Sequence, residues 1–197
     1  MGKGRLEAFT DGVVAIIITI MVLELKLPEG RDAAGLLAAL PSFLIYALSF
    51  VNVAIFWNNH HHMLHATRRV NGVVLWANLF LLFWLSLVPF VIRWIGEVGI
   101  APLPIAAYSF VLLLSGMGYS WLERAIIAGD GRDAVLAQAI GSDWKGWLSL
   151  VCYLAAIPLA FLSPWISIAL NLAVAVMWLS PDRRIEAALG THPDSAA

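Results

Sequence analysis

Arg5-Leu6-Glu7-Ala8-Phe9-Thr10-Asp11-Gly12-Val13-Val14-Ala15-Ile16-Ile17-Ile18-Thr19-Ile20-Met21-Val22-Leu23 joins a polar cluster to an unbroken apolar run. Glu24, Lys26 and Pro28 follow, a combination that stops a helix. The pattern predicts a helix over about 5–27, long enough to cross a bilayer. Charged groups near the edge of a spanning helix are costly unless they face protein or water, so Arg5 and Asp11 read as functional or interhelical. At about 100° per residue, Ile16, Ile20, Leu23 and Leu27 lie within about 40° of Phe9, whereas Asp11 lies about 140° from Ile16. One face is thus a continuous apolar stripe, and the acid points towards a neighbouring helix. Periodicity alone leaves the stripe open between ordinary packing or lipid-facing surface and something more specialised.

Composition fixes the class. The 197 residues are 61% hydrophobic and 13% charged, with mean hydropathy +0.84. Soluble domains carry nearer a quarter charged residues, so an integral membrane protein embedded in a lipid bilayer is expected. The first apolar run lacks a small-residue cleavage site and is not expected to be a cleaved leader. The net charge of -1 and the lack of a basic face give no sign of nucleic acid as a partner. The single cysteine, Cys152, lies in an apolar segment and cannot form an intrachain disulfide.

Further along, apolar segments predict helices over about 36–64, 70–95 and 105–127, and a helical hairpin over about 146–179. Together with the first helix this gives an all-α fold, a single domain over 1–197 with six transmembrane helices. Gly116-Met117-Gly118 allows close helix contact. Residues 133–140 could form a short surface helix, and the tail from Ser180 is polar. With six crossings, nine Lys and Arg fall on one side and three on the other, which predicts both termini in the cytoplasm. The same count puts the polar start of the first helix and the His60–His65 end of the second on one side, so the two clusters can meet.

The second helix ends in Trp57-Asn58-Asn59-His60-His61-His62-Met63-Leu64-His65. His61 and His65 share a helix face and invite a metal site, but there is no His-Glu-x-x-His pattern and no second His or Cys cluster. Buried polar groups usually pair with each other, which favours a structural or gating network over a metal centre. No nucleophile sits beside a base in a recognisable arrangement, so the chain is read as not an enzyme and without a cofactor. Two alternatives stay open: a membrane metalloprotein or enzyme using His60, His61 and His65, and a proton-coupled carrier using Asp11 and the histidines. Gly and Pro gather at span ends rather than within spans, which disfavours alternating access.

Arg5-x-x-x-Phe9-Thr10-Asp11 followed by Ala15-Ile16-x-x-Thr19 resembles the opening of the transmembrane protein 175 family of potassium channels. Thr10 stands where serine is usual and keeps the hydroxyl. The resemblance extends to Trp57-x-x-His60-His61, Asn78, Pro89-Phe90 and the six-helix layout. It implies a potassium-selective channel, a homotetramer in the plasma membrane whose first helices line the pore and whose permeant ions are potassium. It further implies a hydrophobic gate of aliphatic rings at Ile16, Ile20 and Leu23, with Thr19 beside the constriction. Arg5, Phe9, Thr10, Asp11, Trp57, His60, His61 and Asn78 are then expected to form a network that holds the first helix against the second and third.

Overall fold

A computed structural model of the chain describes residues 2–25, 27–28, 32–67, 69–130 and 143–179. The surface helix expected at 133–140 and the polar tail from Ser180 lie outside the described residues. Among the described residues seven helices follow in order: α1 Lys3–Leu23, α2 Ala33–Ala66, α3 Gly72–Ser86, α4 Val88–Val98, α5 Pro102–Asp130, α6 Trp144–Leu162 and α7 Pro164–Leu179.

The helix starts are written locally. Asp32, Asn71 and Asp143 each accept a hydrogen bond from the backbone N–H three residues on, capping α2, α3 and α6 at 3.0, 3.0 and 2.9 Å. The single span expected over 70–95 is one apolar segment, Gly72–Val98, made of two helices that meet at Leu87. Pro89 has no N–H to return to Leu85, so α3 tightens at its end, Leu87 N bonding Trp84 O at 3.1 Å. Gly99, at φ 82°, then closes α4. The first helix also ends sooner than expected, at Leu23 rather than 27, so Leu27 lies past the helix and off its stripe.

Among the described residues five segments are long and apolar enough to cross a membrane, the α3–α4 pair counting as one. The expected sixth, α7, is described over 16 apolar residues, about 24 Å of helix up to Leu179.

Helix α5 is the hub of the bundle, packed against α2, α3, α4, α6 and α7, while α1 rests on α2, α3 and α4. Gly118 makes the α3–α5 contact possible: a Cβ there would lie 3.0 Å from Leu81 Cα. Polar side chains bind the rest of the bundle. Ser49 and Asn52 of α2 meet the Tyr108 hydroxyl at 3.1 and 3.2 Å, and Asn171 of α7 donates to Ser109 of α5 at 2.9 Å. In a bilayer, where apolar contact between helices gains little over contact with lipid, such pairs help to fix which helix lies against which.

Candidate pore helix and its polar anchor

Helix α1 has two unlike faces. Leu6, Thr10, Val14, Ile17 and Met21, spaced four, four, three and four, are buried against the neighbouring helices. On the opposite face Ile16, Ile20 and Leu23 are 58%, 40% and 80% exposed in the protomer. Phe9 is exposed on the same side. Thr19 is exposed too, and its hydroxyl donates to the Ile16 carbonyl at 2.9 Å. That bond uses the hydroxyl proton within the helix and leaves the oxygen lone pairs as acceptors on the exposed face.

The buried face carries the anchor. Asn78 of α3 donates its amide N–H to Thr10 Oγ1 at 3.0 Å, and its carbonyl oxygen lies 2.7 Å from His60 Nε2 of α2. Since the Asn78 carbonyl can only accept, His60 Nε2 carries the proton of that bond. Thr10, His60 and Asn78 are all buried, so three helices share one enclosed polar knot. One residue along α1, Asp11 Oδ1 accepts from Trp57 Nε1 at 2.7 Å. The His61 ring stacks 6.0 Å from Trp57, and His65 stacks 6.3 Å from His61.

Of the expected network, Thr10, Asp11, Trp57, His60, His61 and Asn78 are brought together. Arg5 and Phe9 are not: both are exposed, and neither makes a hydrogen bond or ion pair through its side chain with another described residue. The reason is angular, because the buried face of α1 at this end belongs to Leu6 and Thr10. Sequence reasoning missed Lys3, whose Nζ donates to the His65 carbonyl at 2.7 Å and ties the start of α1 to the end of α2. It also missed Arg93, which lies 3.5 Å from Glu24 and donates to Glu97 at 3.0 Å. The second of these pairs was visible as an i, i+4 spacing; the first joins separate helices.

A family model described as the endosomal/lysosomal potassium channel TMEM175 matches residues 5–89, the segment that holds α1, α2 and α3. A protein of Chryseobacterium sp. (strain P1-3) named a potassium channel is 51% identical over 189 residues, covering 96% of this chain and 98% of that one. The chain belongs to the TMEM175 family. A second TMEM175-like relative, a Chamaesiphon minutus protein also named a potassium channel, is 30% identical over 88% of this chain and 91% of its own.

The crystal structure of a lysosomal potassium-selective channel TMEM175 homologue from Chamaesiphon minutus superposes with a TM-score of 0.74 at 28% identity. It covers 91% of this chain and 97% of that one, so the likeness to TMEM175 extends through α5, α6 and α7. These relatives are channels, and the enzyme reading of the histidines finds no support in them. His60 is engaged by Asn78, and no group of three or more His, Cys, Asp or Glu that could hold a metal occurs among the described residues.

Proposed function

We propose that four copies of this chain assemble around an axis lined by their α1 helices and conduct potassium across the plasma membrane, with both termini in the cytoplasm. The carrying observation is the division of α1, one face locked into the protomer and the other a bare aliphatic stripe at Ile16, Ile20 and Leu23. A ring of such side chains from four protomers forms a narrow apolar constriction. It gates by dewetting and favours the cation that sheds its water more easily, potassium over sodium. Support for potassium as the permeant ion comes from the names of the bacterial relatives and from the potassium-selective structural neighbour. Support for cytoplasmic termini comes from the nine-to-three partition of Lys and Arg.

The test is potassium and sodium flux in proteoliposomes, wild type against Ile16→Asn. A potassium-preferring flux in wild type whose rate or preference changes in Ile16→Asn places the constriction on the stripe. Flux indifferent to Ile16→Asn moves the pore elsewhere. Saturable uptake that needs a proton gradient makes the protein a carrier.

A further inference from the structure

Glu24 directly follows Leu23 and caps α1, its backbone N–H bonding Ile20 O at 3.1 Å. A carboxylate at this end meets the negative pole of the helix, which is unfavourable unless a cation stands close. Arg93, from α4, is that cation: its Nε lies 3.5 Å from Glu24 Oε2 while donating to Glu97 Oε1 at 3.0 Å. Ile16, Ile20 and Glu24 share one groove with Phe90 and Arg93, so Arg93 faces the same space as the aliphatic stripe.

We propose that Arg93 sets conductance at low ionic strength by neutralising Glu24 at the pore mouth remote from the N-terminus. The inference rests on α1 being the pore helix. Unpaired, Glu24 would place one negative charge per protomer at the end of the stripe, a ring of four in a tetramer. A ring of that sign concentrates cations at an entrance and raises their rate of entry. With Arg93 beside it the pair is neutral, and Glu97 leaves the three-residue cluster with one negative charge per protomer. The Arg93 and Glu24 side chains are 59% and 27% exposed, so the field reaches solvent and is open to screening by salt. An exposed ion pair adds little to stability, so bracing α1 is a poor account of the arrangement.

The experiment is single-channel conductance in symmetric potassium for wild type, Arg93→Gln, Arg93→Lys, Glu24→Gln and the Glu24→Gln/Arg93→Gln double variant. At about 10 mM, where the Debye length is about 30 Å, Arg93→Gln is expected to conduct roughly twofold or more above wild type. At about 1 M, with a Debye length of about 3 Å, the two should converge. Arg93→Lys should match wild type, and the double variant should lose the gain. Glu24→Gln, which leaves the mouth more positive, should conduct about twofold less than wild type at about 10 mM. It carries the test if Arg93→Gln fails to assemble. Conductance unchanged at low salt in both Arg93→Gln and Glu24→Gln, or a change that persists undiminished at high salt, overturns the proposal. If Ile16→Asn alters flux while the charge variants do not, the role of Arg93 fails and the pore helix stands. If Ile16→Asn leaves flux untouched, the pore reading itself has failed.

Discussion

Asn78 donates to Thr10 across the α1–α3 contact at 3.0 Å, and both side chains are buried. The same amide group meets His60 through its carbonyl, so one side chain satisfies polar atoms on two other helices. Removing it strands both. Leaving a buried donor or acceptor unpaired costs about 1–3 kcal/mol. Asn78→Ala should lower the Tm of the detergent-solubilised protein by several degrees, whereas Thr10→Ser, which keeps the hydroxyl, should stay near wild type. An unshifted Tm in Asn78→Ala would show that the three helices do not depend on this knot.

Asp11 and Trp57 form the exposed counterpart of that knot. Because the carboxylate oxygen only needs to accept, Asp11→Asn should behave almost as wild type. Asp11→Ala should disturb tetramer assembly or open probability and leave the potassium-to-sodium ratio of conducting channels within about twofold, since such a bond is worth only about 1.5–3 kcal/mol and lies off the stripe. Size-exclusion profiles and bi-ionic reversal potentials separate the two effects. Asp11→Ala tetramers that form normally but lose potassium preference would contradict this role.

Thr19 presents acceptor lone pairs outward because its proton is held by the Ile16 carbonyl. A ring of such oxygens beside an apolar constriction offers a partly dehydrated cation replacement ligands. Thr19→Val keeps the shape and removes the oxygen. The expected outcome in reversal-potential measurements is retained current with a potassium preference reduced several-fold, and recovery in Thr19→Ser. Equal selectivity in all three would assign discrimination to the aliphatic rings alone.

Gly118 offers a test of the bundle itself. A methyl group at this position would press on the Leu81 backbone, and overpacking of this kind typically costs about 1–3 kcal/mol. Gly118→Ala should therefore destabilise. Gly96→Ala should be neutral or mildly stabilising, since a Cβ there meets nothing within 4 Å. Thermal melts of the two variants decide it, and equal Tm values would mean that α3 and α5 can part without penalty.

What the sequence made legible was periodic or local. The stripe on α1 and the meeting of the α1 start with the His60–His65 end follow from spacing and charge counts. The break at Leu87 was hidden inside an apolar run whose hydropathy does not change, although Pro89 was the signal for it. Arg5 fits the network by residue type, but its position on the helix turns it to the exposed side of the protomer. The Arg93–Glu24 pair was out of reach, because nothing in either local segment says that α4 turns back to the end of α1.

Among the described residues the hydrogen bonds from α1 side chains to other helices fall within its first nine residues, at Lys3, Thr10 and Asp11. Beyond them the helix is held by side-chain packing, the exposed ion pair past its far end adding little. It is built as a lever with its fulcrum at Thr10. Ile20 stands about 15 Å further along the axis, so a pivot of roughly 4° carries it sideways by about 1 Å. In the proposed tetramer, that small rotation in each protomer would widen the bore by about 2 Å at the isoleucines while the anchored end stays still.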